Sequence, residues 1–133
     1  MKVLIIITPG FQGHSNEVLE IFAQMGCVVT DRKTTILTQE QCNVIWGDIR
    51  VNMKAGINPK AQKYYEDYCA YIMSGEVECI ILEAPEIDYH QVALAKNNIR
   101  KQNNAIRTFK DILHTSDTNE DAEAEIQCIF INQ

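Results

Sequence analysis

The sequence predicts an α+β fold: four strands in one antiparallel sheet, in βαββαβ order, with additional helices packed on it. Three observations carry this. Short apolar runs, above all Val3-Leu4-Ile5-Ile6-Ile7 and Cys79-Ile80-Ile81-Leu82, are bounded by turn residues and have the pattern of strands buried on both faces. Stretches with helical spacing lie between them, opened by capping residues or closed by glycine. The length of 133 residues suits one compact domain, so residues 1–133 read as a single unit.

The first strand, Val3 to Ile7, stops at Thr8-Pro9-Gly10, where proline cannot donate to the ladder. Ser15 or Asn16 caps the helix that follows, with Glu17 at its positive end and Gly26 as its stop. Cys27 to Leu37 is β-branched but carries Asp31, Arg32 and Lys33, as a strand with one wet side would. Thr38-Gln39-Glu40-Gln41 fits a capping box for a helix through Trp46, and Gly47 to Pro59 reads as an exposed loop or arm. Lys60 to Met73 is the next helix, closed by Ser74-Gly75, and Val77 to Glu83 the third strand. Pro85 precedes a helix from about Glu86 to Lys96, and the asparagines from Asn97 to Asn104 mark an irregular connection. Ile106, Phe109, Ile112 and Leu113 bring the chain back to the core. Ser116 to Asn119 offers caps for Glu120 to Glu125, and Ile126 to Ile131 reads as the fourth strand.

Right-handed crossovers then give one sheet with helices on it. A ferredoxin-like core with a helical insertion fits best, and a flavodoxin-like doubly wound sheet is the competitor.

Composition narrows the function. A net charge of −6 argues against specific nucleic-acid binding, which favours a basic face. No apolar run reaches the ~20 residues that cross a bilayer, and the opening run is too short for a signal segment. A cytoplasmic protein with no membrane partner is expected. The five cysteines show no metal-ligand spacing and no disulfide framework, so no structural metal is expected.

Charge is distributed unevenly. No acidic residue lies between Asp88 and Asp111, whereas Lys96, Arg100, Lys101, Arg107 and Lys110 all do. Such clustering suits phosphate oxygens, and equally suits a solvated helical face. His114 follows directly. Alone it would read as a structural histidine, but Ser116 is close and Glu125 lies far enough along the next helix to turn back onto one ring nitrogen. An imidazole held in that way exposes its other nitrogen as a nucleophile. His14 and His90 lack comparable neighbours in the sequence.

Ile112-Leu113-His114-Thr115-Ser116-Asp117-Thr118, followed by Ala122-Glu123-Ala124-Glu125-Ile126, resembles the active-site signature of nucleoside diphosphate kinases: Asn-Ile-Ile-His-Gly-Ser-Asp-Ser, then Ala and Glu-Ile at matching offsets. Ile5-Ile6-Ile7-Thr8-Pro9 with Phe22-Ala23-Gln24-Met25-Gly26 resembles the family's first strand and helix. Tyr64-Tyr65 through Ser74-Gly75 resembles its nucleotide-clasping helix. The resemblance implies the βαββαβ fold and transfer of a γ-phosphate between nucleoside tri- and diphosphates through a phosphohistidine. Ping-pong kinetics, Mg2+ carried with the nucleotide, and a homo-oligomer, hexamer or dimer, are implied as well. It makes His114 the nucleophile, with Ser116 near its phosphate and Glu125 orienting the ring. It makes Tyr65 the base platform and puts Thr8, Arg100, Lys101 and Asp111 near the nucleotide. The chain departs from the pattern at several of these positions. Thr8 and Val92 stand where the family has a phosphate-binding Lys and Arg, Trp46 where it has Tyr, Asp111 where it has Asn and Thr115 where it has Gly; the connection from Val92 to His114 is shorter. Two alternatives stay open: a catalytically impaired nucleotide-binding or assembly module, and a regulatory domain without nucleotide.

Overall fold

The computed structural model describes residues 1–52, 59–103 and 112–131. Strand β1 (Lys2–Ile7) leads through a 3-10 turn to helix α1 (Ser15–Gln24) and then strand β2 (Val28–Thr35). Helices α2 (Gln39–Asn52) and α3 (Pro59–Ile72) precede strand β3 (Val77–Glu83). Helix α4 (Tyr89–Gln102), strand β4 (Leu113–Thr115), helix α5 (Asn119–Ile126) and a π-helical turn (Gln127–Ile131) complete the order. The sheet order is β2-β3-β1-β4, and each neighbouring pair is antiparallel. This is the expected ferredoxin-like α+β architecture.

The unbroken apolar run of β1 follows from burial on both faces. Val3, Ile5 and Ile7 face α1 and α4 with Phe22, Val92, Ile99 and Leu113. Leu4 and Ile6 face α2, α3 and the π-helical turn with Trp46, Tyr68, Ile72 and Ile129. Each such side chain contributes about 1.5–3 kcal/mol on leaving water, so these two central layers outweigh any surface ion pair.

Several boundaries differ from expectation. The 3-10 turn Gln12–His14 feeds straight into α1, and the Ser15 N–H bonds the Gln12 carbonyl, so no side-chain cap is used. Gly26, at φ +87°, lets the Cys27 N–H return to the Phe22 carbonyl at 3.1 Å and ends α1 as expected. Strand β2 is shorter than Cys27 to Leu37; it is a sheet edge, exposed over most of its length and bulged between Val29 and Asp31.

The Thr38 capping box is present, with Gln41 N–H on Thr38 Oγ1 at 3.2 Å and the Gln41 side chain on the Thr38 N–H at 2.9 Å. Helix α2 then continues past Gly47 to Asn52, where a loop was expected. A glycine within a helix costs only ~1 kcal/mol, which packing offsets. The stretch 53–58 lies outside the described residues.

Helix α4 starts at the Asp88 capping box, three residues after Pro85, and runs through Asn97 and Asn98 to Gln102. The expected fourth strand at Ile126 to Ile131 is corrected. That run continues α5 as a π-helical turn, with Ile129 buried and its carbonyl held by Lys33 Nζ at 3.0 Å. No helix breaker separates it from α5. The sheet edge is filled instead by Leu113–Thr115. Ile106 and Phe109 lie outside the described residues.

Candidate active site

Strand β4 places the site. His114 pairs with Ile6 across the ladder, so Leu113 joins the core under α1 and α4 while the imidazole turns to the α2 side. Ile112, just before the strand, is buried with φ at +69°, a conformation costly for a β-branched residue. Its carbonyl accepts the Thr8 N–H at 2.9 Å, which pins the strained residue to the end of β1. Beyond His114, the Ser116 N–H bonds the Leu4 carbonyl at 3.0 Å, and Ser116 Oγ accepts the Leu4 N–H at 3.1 Å. Ser116 thus extends the ladder with its own hydroxyl.

The chain then reverses. Thr118 Oγ1 accepts the Asp121 N–H at 3.1 Å and starts α5, whose buried face is Ala122 and Glu125. The Glu125 carboxylate meets His114 Nε2. The carboxylate side chain is 4% exposed and the imidazole 12%. An ionised carboxylate only accepts, so Nε2 carries the proton and Nδ1 holds a lone pair in the neutral ring. Among the described residues Nδ1 makes no hydrogen bond. His14 also has a carboxylate neighbour, Glu17 at 3.2 Å, but both are substantially exposed at the start of α1. Burial separates the two histidines.

Aromatic rings line the other side of the imidazole. Trp46 lies 5.3 Å from His114, ring centre to ring centre, at 69°. Tyr68 lies 5.4 Å beyond Trp46, and Tyr64 is stacked on Tyr68 at 6.3 Å. Tyr64, at 42% exposed, is the outer end of this row. The expectation for Tyr65 is not met by its placement. Tyr65 is 2% exposed, packed in the core, and its hydroxyl donates to Asn43 Oδ1. Helical geometry turns adjacent residues about 100° apart, so only one of the pair can face outward.

Thr8 is fully buried and offers no surface to a ligand. The Tyr71 hydroxyl lies 3.1 Å from Thr8 Oγ1 and 2.7 Å from the Pro9 carbonyl. Val92 is likewise buried in the α4 core. Arg100 Nη2 donates to the Leu113 carbonyl at 2.7 Å, so this guanidinium braces the strand that holds His114. Lys101 is exposed in the last turn of α4, where cations complement the helix dipole. Lys96 pairs with Asp117 at 3.9 Å. Asp111, Arg107 and Lys110 lie outside the described residues. The structure brings His114 and Glu125 into contact, whereas the Ser116 hydroxyl is turned to the Leu4 N–H. Sequence reasoning missed the contact of Trp46 with the imidazole, which only the α2–β4 packing reveals.

Among the described residues, no group of three or more His, Cys, Asp or Glu could hold a metal ion, and no helix is long and apolar enough to cross a membrane.

The family model described as nucleoside diphosphate kinase matches residues 2–133. No curated protein matches the chain. Among solved structures, the nucleoside diphosphate kinase of Encephalitozoon cuniculi is similar with a TM-score of 0.73 at 17% identity, over 97% of this chain and 88% of that one. The Aquifex aeolicus nucleoside diphosphate kinase has a TM-score of 0.69 at 25% identity, over 97% and 94%. An NDP kinase from Pyrobaculum aerophilum has a TM-score of 0.69 at 15% identity, over the same shares.

Proposed function

The chain belongs to the nucleoside diphosphate kinase family, and from that premise we propose that it transfers a γ-phosphate between nucleotides through His114. One observation carries the reading: a nearly buried imidazole whose Nε2 is held by Glu125 while Nδ1 keeps its lone pair. Nδ1 attacks the γ-phosphorus of a nucleoside triphosphate. The N–P bond forms as the bond from phosphorus to the bridging oxygen breaks, and the nucleoside diphosphate leaves with that oxygen. A second diphosphate attacks the same phosphorus through a terminal oxygen and regenerates the imidazole. Glu125 balances the positive charge that the ring gains on phosphorylation and loses when the phosphoryl group moves on. Magnesium enters as part of the substrate, held by the phosphates of the nucleotide and by water. The exposed Tyr64, rather than Tyr65, is the platform for the base, since an aromatic face stacks on any base. Ser116 serves the site by fixing the backbone beyond His114. Arg100, Lys101 and Asp111 are the candidates for the phosphate end. A homo-oligomer, dimer or hexamer, in the cytoplasm completes the reading.

Incubation with γ-labelled ATP and magnesium is expected to leave acid-labile label on the wild-type protein, removed by ADP and absent from His114→Gln. No label while nucleotide is bound refutes transfer.

A second reading has its own observation. The positions of the family Lys and Arg are the neutral, buried Thr8 and Val92. Loss of one such donor costs on the order of 3 kcal/mol, or ~100-fold in rate. A nucleotide-binding module with impaired turnover would bind ADP equally well as His114→Ala, and robust wild-type exchange eliminates it.

A further inference from the structure

Resting on that transfer chemistry, we propose that Trp46 is a positioning residue for His114. Glu125 restrains the imidazole at one atom. A ring held there and at its Cβ–Cγ bond can still rotate about the line joining the two, and the Nδ1 lone pair would sweep an arc. Misplacement of a reacting atom by 1 Å can cost on the order of 100-fold in rate. The indole closes the arc: its ring centre is 5.3 Å from that of the imidazole, inclined at 69°.

The wall is itself fixed. Trp46 is 6% exposed and is backed by Tyr68, which is 3% exposed and meets it at 63°. Tyr68 is stacked in turn on Tyr64. Helix α2, which carries Trp46, is anchored at its start by the Thr38 capping box and packs against α3 and α5. The indole is therefore held by its packing as well as by its helix.

A second contribution is electronic. The two rings meet at 69°, the edge-to-face arrangement that the positive edge of one ring and the negative face of the other favour. A branched alkyl side chain of similar bulk would provide the wall without the attraction. Phenylalanine would retain most of both. That difference separates positioning from simple core filling.

The test uses the full-length protein and single-turnover labelling of His114 from γ-labelled ATP. Trp46→Leu is expected to slow labelling about 10-fold at saturating ATP, and Trp46→Phe to stay within about 3-fold of wild type. The ATP concentration for half-maximal rate should be unchanged in both. Melting temperatures measured on each variant provide the control. Equal losses of rate in both variants, following their loss of melting temperature, would make Trp46 a packing residue and overturn the proposal. Labelling of Trp46→Leu at the wild-type rate overturns it as well.

Trp46 is the single tryptophan of the chain, so indole emission reports on the surroundings of this one ring. Wild-type fluorescence should change on phosphorylation by Mg-ATP, return on adding ADP, and stay constant in His114→Gln. Emission that ignores a histidine shown to carry label removes the contact and the proposal with it. Wild type that takes no label removes the transfer reading first; label on wild type with Trp46→Leu unaffected removes only this inference.

Discussion

Glu125 and His114 determine each other's chemistry. A carboxylate this buried needs a hydrogen-bond partner, and the imidazole N–H supplies it. Glu125→Gln keeps the shape and an acceptor oxygen but removes the charge. A charge-assisted bond is worth about 1.5–3 kcal/mol, so His114 labelling should slow ~10–100-fold with ATP affinity unchanged. Single-turnover kinetics decide this, and an unchanged rate would deny Glu125 its role. The cysteines make the opposite case, that of reactive groups silenced by their surroundings. The Cys42 thiol is pushed up chiefly by its bond with Cys69 and by burial, and burial pushes Cys79 up to about 12. Cys128 is raised by partial burial and by Glu125 and Glu40, but it alone is not fully buried. A thiol reagent at pH 8 should modify Cys128 slowly in the native protein and all five cysteines in denaturant, as read by mass spectrometry.

Among the elements, α2 bears the most on the site, since it delivers Trp46. Thr38→Ala removes one orphan-donor contact at its start and should destabilise the protein by about 1 kcal/mol, seen as a midpoint shift in urea. The β2–β3 edge carries a pH-sensitive contact. Burial opposes ionisation of Glu78, but the Arg32 guanidinium, 2.8 Å away, holds its carboxyl below the usual carboxylate range. The folded state therefore binds this proton less readily than the unfolded chain. The stabilisation is present at neutral pH and is lost as pH falls below about 4, through the lowered value. Glu78→Gln should lower the melting temperature by about 2–4 °C at pH 7, and the gap should close in acid, below the usual carboxylate range. Long elements were legible because period and caps agreed: β3 spans the expected Val77 to Glu83, and the Thr38 box is real. The fourth strand was misread for a physical reason. Ile126 to Ile131 is apolar enough for either state, and short apolar runs have no period to arbitrate. Leu113–Thr115 is too short to have a pattern at all and becomes a strand only because β1 offers an edge.

At the scale of the whole molecule, sheet order explains both what the sequence revealed of the site and what it hid. The histidine motif is local, so His114 and Glu125 could be brought together from spacing on one strand–turn–helix unit. The surroundings are not local. Trp46 reaches the imidazole from a helix 68 positions earlier, and Arg100 reaches the Leu113 carbonyl from α4, whose apolar residues pack on the opposite sheet face. Tyr64 and Tyr65 are chemically the same, and only packing decides which one faces outward. The same order makes a dynamic prediction. Strands β1 and β3 are central and buried on both faces, whereas β4 is three residues at an edge, tied by β1, by Arg100 and by the Ile112–Thr8 bond. Opening β4 disturbs few of the buried contacts that hold β1 to β3, so its amides should exchange with solvent well before theirs. A nucleotide bound at this edge favours the closed state in proportion to its occupancy, and saturating Mg-ADP should slow exchange from 112–116 while leaving β3 unchanged. Hydrogen exchange read by mass spectrometry tests both halves. Exchange in β4 as slow as in β1 without ligand would mean the edge is held by more than these ties; exchange unaffected by bound nucleotide would place the ligand elsewhere on the molecule.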